Sequence, residues 1–351
     1  MAVRVKPLTI PSKKRGGLVV DLHCHVLSPE ADKAVDGLPG KKAESEQNRL
    51  VQGPASAQYN AKVQGPNIAQ PLSDIARRIA DMDKMGVDVQ VISPAPGQFY
   101  YWADPDIART HVRLQNENLA SYCVKHPDRF AALGNIALQH VHIALEQLDH
   151  AIGELGFRGF EICTSPMGKD LDDPHFDKFW ARIEETGALV FLHPQSCPPL
   201  AERLDEYYLS NIIGNPLDTT IALSHLIFGG VLDKYPGLKI LGAHGGGFLP
   251  SYCSRSDHCY RARTDAHSMK KAPSEYLKQL YVDTIVYTPE ALKTVIDQVG
   301  VSQVMVGTDY PYDMGHYDPR GLLNAVKGLS DADRNAILGD NALRLLNMRV
   351  E

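Results

Sequence analysis

Residues 19–25 read Val19-Val20-Asp21-Leu22-His23-Cys24-His25, an apolar run that closes on two histidines one residue apart. Side chains alternate along an extended strand, so His23 and His25 are expected to face the same way. The pattern recurs along the chain. Short, β-branched runs at 17–22, 87–93, 130–136, 156–163, 189–193, 239–243, 280–285 and 303–308 alternate with amphipathic stretches at 72–85, 106–126, 142–155, 174–186, 216–235 and 289–298. In the first amphipathic stretch, Leu72, Ile75, Ile79 and Met82 repeat at three- and four-residue steps, as one buried helix face requires. Stop signals stand at the junctions, as in Met85-Gly86, Leu155-Gly156 and Tyr235-Pro236-Gly237. Strand–helix alternation builds a parallel sheet, and this many repeats close it. The expected fold is α/β, a (β/α)8 TIM-like barrel with an insertion after strand 1.

Residues 1–16 then form an N-terminal arm, and 17–351 a single barrel. The rhythm fails at 27–69, which is polar and rich in Gly, Ala, Gln and Lys. A structureless connection of that length does not suit a compact domain, so the stretch is read as the insertion. Loops that follow barrel strands face the catalytic mouth, so it is expected to cover the active site, with a surface excursion as the plain alternative.

Composition removes several function classes. With 44% hydrophobic and 22% charged residues, the chain is neither disordered, collagen-like nor a coiled coil. A formal charge of −6 provides no basic excess for a nucleic-acid or membrane-surface partner. No apolar run approaches roughly 18 residues and the N-terminus has no signal-peptide core, so a cytoplasmic protein is expected. Six cysteines without a C-x-x-C pair exclude a disulfide framework.

Histidine is abundant, at 14, and four histidines sit where strands end. Strand 5 closes on Leu192-His193-Pro194, strand 6 on Ala243-His244-Gly245-Gly246-Gly247, and strand 8 on Gly307-Thr308-Asp309-Tyr310-Pro311. One histidine at a strand end is ordinarily a packing or capping residue, and H-x-H alone says little. Four strand ends that all finish in ligand-type side chains at one mouth make a divalent metal site. The His140/His142 pair lies past strand 3, outside that set.

These strand ends, with Phe99-Tyr100-Tyr101-Trp102-Ala103, His126-Pro127-Asp128-Arg129-Phe130 and Glu154-Leu155-Gly156-Phe157, resemble the amidohydrolase superfamily. Within it the chain is similar to the mononuclear branch that contains the 2-amino-3-carboxymuconate-6-semialdehyde decarboxylases and related non-oxidative decarboxylases. The likeness runs from about residue 18 to residue 346. It implies that His23, His25, His193 and Asp309 bind one divalent metal, zinc with manganese as the alternative, and that a water completes the shell. It also implies that His244 is the catalytic acid/base, acting beside Asp309. The residues themselves support that division. A binuclear site needs a bridging group at the end of strand 4, which here reads Phe160-Glu161-Ile162-Cys163-Thr164 with no lysine before Lys169. Glu161 keeps the binuclear alternative open. Otherwise His244 is free for proton transfer, for which histidine is suited as a residue type.

The resemblance further assigns Arg255 to the substrate carboxylate, donated across the interface of a homodimer; the plain reading is a surface arginine in a polar helix. Two departures stand out. The muconate-semialdehyde decarboxylases carry a second arginine near the stretch aligned with 62–66, whereas Arg49 is the only arginine between Leu27 and Ala69 here. Where the branch has an aromatic after the strand-5 histidine, this chain has Gln195, a pocket residue. Tyr101 and Trp102 are read as an aromatic wall, with core packing as the alternative for Trp102.

The function expected is metal-dependent, non-oxidative decarboxylation of a small unsaturated or aromatic carboxylic acid in aromatic catabolism, a carbon–carbon lyase reaction. The alternative is a metal-dependent hydrolase or hydratase acting on a C–C, ester or lactone bond of a ring-cleavage product. A barrel that has lost catalysis is the remaining reading. The expected partner is a small-molecule carboxylate.

Overall fold

A computed structural model describes residues 4–10, 17–266 and 268–351. Its strands are β1 (Leu8–Ile10), β2 (Val20–Asp21), β3 (His25–Val26), β4 (Val89–Pro94), β5 (Phe130–Gly134), β6 (Gly159–Cys163), β7 (Leu189–His193), β8 (Lys239–Gly242), β9 (Leu280–Asp283), β10 (Val304–Met305) and β11 (Met348–Val350). From β2 to β10 neighbouring strands pair in parallel, with β3 continuing the first strand against β4. The sheet comes round on itself through bridges Asp21–Val306 and Cys24–Tyr310, so the eight expected strands form a nearly closed barrel. Helices lie between successive strands, among them Ile75–Met85, Pro105–Lys125, Val141–Gly153, Asp177–Thr186, Asn215–Phe228 and Pro289–Val299. The arm does not hang free: β1 pairs in parallel with β11, so the two ends of the chain form a small second sheet.

Alternation sorts the apolar side chains into two layers. Val89 and Val91, Leu189 and Phe191, and Leu241 and Met305 fill the barrel interior, which Ile10 and Met348 extend. Ile92, Val190, Leu192, Ile240 and Val282 point outward into the larger layer beneath the helices. The sequence period of two is thus the inside/outside division of a filled barrel.

The first strand departs from that simple pattern. Leu22 belongs to the interior cluster, yet His23 and His25 also face inward while Cys24 packs in the outer layer. Alternation therefore slips by one residue between Leu22 and His23; the expected strand at 17–22 is shortened to β2, and β3 lies beyond it. The buried Asp21 carboxylate holds the slip. Its Oδ1 accepts the His23 N–H at 3.1 Å and the Thr308 N–H at 3.0 Å. Its Oδ2 accepts Thr308 Oγ1–H at 2.6 Å and Gln90 Nε2–H at 2.9 Å. One side chain thereby replaces ladder bonds that the slipped strand cannot make. The eighth strand is likewise shorter than 303–308 because it reaches β2 by a bridge rather than a ladder.

Two expected helices also differ in extent, one starting late and the other ending early. Asp74 caps Ile75–Met85 by accepting the Arg77 N–H, so Leu72 falls in a separate helix, Gly65–Ser73. Gly230, at φ 74°, breaks 216–235 after Phe228. The insertion is helical: Pro29–Val35, Pro39–Gln52, Pro54–Tyr59, a wide turn at Asn60–Gln64, and Gly65–Ser73. Prolines at the first turns start four of these helices. Among the described residues no helix is long and apolar enough to cross a membrane.

Candidate metal centre

Three histidines share one arrangement at the carboxyl mouth of the barrel. His23 Nδ1–H donates to Asp283 Oδ2 at 2.7 Å, His25 Nδ1–H to the Pro94 carbonyl at 3.0 Å, and His193 Nδ1–H to the Pro194 carbonyl at 2.9 Å. Each tether turns Nε2 inward, and all three Nε2 atoms are buried without a hydrogen-bond partner. Orphaned imidazole nitrogens this deep are expensive unless an ion takes their lone pairs. Asp309 supplies the charge they surround. Its Oδ1 lies 3.3 Å from His23 Nε2 and 3.4 Å from His25 Nε2. Burial would raise the Asp309 carboxyl, but His23, His244 and His25 around it together outweigh that and hold it well below the usual carboxylate range. Burial, with the neighbouring histidines, pushes His193 down. Burial would lower His23 and His25 as well, but they are instead raised, by Asp309 and Asp283 and by Glu161, so an ion that takes their nitrogens displaces protons. Imidazole and carboxylate are nonetheless the donor types of a divalent site.

His244 is placed differently. Its Nε2 stands 3.7 Å from Asp309 Oδ2, its Nδ1 has no partner, and it borders the open cavity. What holds it is backbone: the His244 N–H donates to Asp283 Oδ2 and the Gly245 N–H to Asp283 Oδ1, both at 2.8 Å. Both His244 and Asp309 sit at φ 55°, a left-handed conformation that costs on the order of 1–3 kcal/mol for such residues. His23, His193, His244 and Asp309 form one mutual set, with donor atoms all within 4.8 Å of one another. His25 lies on the Asp309 Oδ1 side of that set, its ring centroid 4.7 Å from that of His193. Distance therefore favours His244 as a donor, whereas the shared tether pattern favours His25.

Asp283 escaped the sequence reading, although it closes β9 as His193 closes β7. The strand-end rule applied to strand 7 would have found it. Burial would raise its carboxyl, but the hydrogen bond and charge of His23, with His244 and the Gly245 N–H, together outweigh that and hold it down. As the tether for a candidate ligand it should govern metal retention. Asp283→Asn is expected to weaken metal binding by about 10–100-fold in a chelator competition; unchanged affinity would remove it from the site. Arg78 was also missed. It is fully buried, donates to Gln90 Oε1 at 2.9 Å and to the His25 carbonyl, and so fastens the ligand-bearing backbone to β4. Nothing local marks it, since a helix periodicity does not show which cation is swallowed.

Glu161 is fully buried in the middle of β6, its Oε2 3.7 Å from His25 Nδ1 and neither oxygen hydrogen-bonded. It lies outside the mutual donor set. A cavity of about 210 Å3 opens above His193, His244 and Asp309, with Gln195 in its wall. Asn48, Gln52, Asn60 and Gln64 of the insertion line it as well. Tyr101, Trp102 and Arg255 are absent from its lining. Trp102 lies so close against Gly40 of the insertion that a Cβ there would meet its ring at 2.1 Å. The Tyr101 hydroxyl accepts the Cys163 N–H at 3.4 Å, and Arg255 is exposed on the helix Leu249–Ala262.

A parallel barrel with an orphaned histidine–aspartate cluster at the carboxyl ends of its strands defines a metal-dependent barrel enzyme. The chain belongs to the amidohydrolase family, whose profile matches residues 20–348. Over 273 residues, 77% of this chain and 76% of the other, it is 35% identical to the 2-amino-3-carboxymuconate-6-semialdehyde decarboxylase of Dictyostelium discoideum. It is also similar to the crystal structure of a 5-carboxyvanillate decarboxylase from Novosphingobium aromaticivorans, complexed with manganese and 4-hydroxy-3-methoxy-5-nitrobenzoic acid. That likeness has a TM-score of 0.84 at 26% identity and covers 99% of both chains. More distantly, it is 23% identical to a 2-keto-4-carboxy-3-hexenedioate hydratase of Sphingobium sp. over 77% of this chain and 81% of that one. The family and barrel read from the motifs are those found.

Proposed function

We propose that this protein is a metal-dependent, non-oxidative decarboxylase of a small aromatic or unsaturated carboxylic acid. The observation that carries the reading is the buried cluster of tethered histidines around Asp309, open on one side to a small cavity bordered by His244. His23, His25, His193 and Asp309 would hold one divalent ion, zinc or manganese. Bound there, the ion supplies Lewis-acid charge and lowers the pKa of a water toward neutrality. His244 stands at the border between the cluster and the cavity, where it moves a proton to the carbon that loses its carboxylate. The C–C bonding pair stays on that carbon and takes up the proton, and CO2 departs. Residues 27–69 act as the cover of the site, keeping bulk water from the reacting carbon.

Metal-loaded protein incubated with carboxyl-labelled hydroxybenzoates and carboxymuconates is expected to release labelled CO2 and a product one carbon shorter. A product that keeps every carbon and gains water would overturn decarboxylation in favour of hydration, the reaction named for the more distant relative.

Arg255 belongs to this reading only across a dimer interface, since the cavity of its own chain does not include it. The protein is expected to sediment as a homodimer, and Arg255→Ala to raise KM far more than it lowers kcat. An active monomer, or an unchanged KM, would sink that role.

A further inference from the structure

The insertion and the metal centre meet at one side chain. The helix Gly65–Ser73 ends the insertion, and three of its last carbonyls, which by helix geometry lack an internal partner, are taken from outside. Pro71 accepts from Arg78 Nη2–H at 3.3 Å, Leu72 from the Leu27 N–H at 3.0 Å, and Ser73 from the Tyr122 hydroxyl at 3.0 Å. Of these three donors Arg78 alone also bonds a candidate ligand, because the same Nη2 donates to the His25 carbonyl. Nη2 has two hydrogens, one for each carbonyl.

The rest of the guanidinium points the same way. Nη1 donates to Gln90 Oε1 at 2.9 Å, and Gln90 Nε2–H donates in turn to the Asp21 carboxylate at 2.9 Å. The guanidinium carbon stands 4.8 Å from the centre of the Tyr310 ring, and Tyr310 follows Asp309 in the chain. The His25 N–H donates to the Tyr310 carbonyl at 2.8 Å. One buried cation thus rests against His25 and against the residue next to Asp309. All three of its hydrogen-bond acceptors are neutral oxygens, and a charge buried against neutral groups is costly. An apolar side chain would avoid that cost and leave the His25 and Pro71 carbonyls unpaired. The guanidinium instead fixes the two carbonyls relative to one another.

We propose that Arg78 is a positioning residue for the metal that ties His25 to the insertion, so that ion binding and docking of the insertion favour each other. An ion on the His25 imidazole restrains the His25 backbone, its carbonyl restrains Arg78, and Arg78 restrains Pro71. Asn60 and Gln64, which line the cavity, precede the helix held in this way. Linkage makes the effect reciprocal, so a docked insertion holds the ion more tightly. The inference rests on the metal reading and not on decarboxylation.

Hydrogen exchange read by mass spectrometry on the whole protein, zinc-loaded and chelator-stripped, tests it. In the unmodified protein zinc is expected to slow exchange at 60–73 by at least about 10-fold. The slowing should exceed that in the helix Val141–Gly153, which carries none of these bonds. Arg78→Met loses every donor, so zinc affinity in a chelator competition should fall by about 10-fold or more. The ratio of stripped to loaded exchange at 60–73 should fall toward one with it. Arg78→Lys keeps the charge and a donor, and should recover part of both. Tyr122→Phe removes only the bond to Ser73, so it should speed exchange at 60–73 in both states and leave their ratio and the zinc affinity unchanged. An Arg78 that merely supports the fold would behave as Tyr122 does. In the unmodified protein, slowing at 60–73 no greater than at 141–153 overturns the proposal without any variant. So do Arg78 variants whose exchange ratio and zinc affinity match the parent's. A protein that takes up no zinc removes the metal reading and this inference with it, whereas uptake with an unresponsive insertion removes this inference alone.

Discussion

His244→Ala is expected to retain its divalent metal and lose turnover, with kcat lower by about 10²–10⁴-fold. The imidazole borders the cavity, whereas the three tethered histidines are almost wholly enclosed. Its Nδ1 has no partner, so nothing commits the ring to present one nitrogen permanently to an ion. Free rotation of roles between two nitrogens suits a group that takes up and releases a proton. The backbone at His244 is pinned by Asp283 at 2.8 Å, so removing the ring should leave the loop in place. Metal content by elemental analysis beside steady-state kinetics decides the matter. The counter-argument is geometric, because His244 and not His25 belongs to the set of donors within 4.8 Å of one another. If His244→Ala loses its metal, His244 is a ligand and proton transfer must be assigned elsewhere.

His193→Ala is expected to lose both metal and activity. His193 closes the fully buried strand β7, its Nδ1 is committed to Pro194, and its Nε2 has no other partner. Losing a direct donor should weaken metal binding by more than the roughly 10–100-fold that loss of an outer tether brings. The same substitution empties space in the barrel mouth, so thermal unfolding of the metal-free proteins must accompany it. Metal-free His193→Ala and metal-free parent should melt within a few degrees of each other, which separates loss of a ligand from loss of the fold. Full metal occupancy in His193→Ala would remove it from the coordination set.

Most of the architecture was legible because it is local. Period-two apolar runs and three/four-residue stripes are written within ten or so residues, and β7 lies where its run of Leu189–His193 places it. Strand ends were legible for the same reason, since polar residues that close buried runs stand out one at a time. The insertion was not. Its helices are built from Ala, Gln, Lys and Glu with few buried positions, so they have helix propensity without the apolar stripe that announces a helix. Trp102 and Tyr101 looked like a pocket wall because aromatic residues near a strand end serve packing and binding alike. Only the neighbour, Gly40 for one and the Cys163 N–H for the other, tells the two apart.

Sequence by itself determined the strand–helix order, the family and the class of chemistry, and singled out the histidines and the aspartate as candidates, because each is carried by residue type at short spacing. Tertiary structure alone decided how those residues work together. The one-residue slip that turns His23 and His25 inward depends on Asp21 meeting Thr308, and the tether of His23 on Asp283 spans 260 residues of chain. A hydrogen bond reads position in space and not distance along the chain, so no local pattern could have announced them.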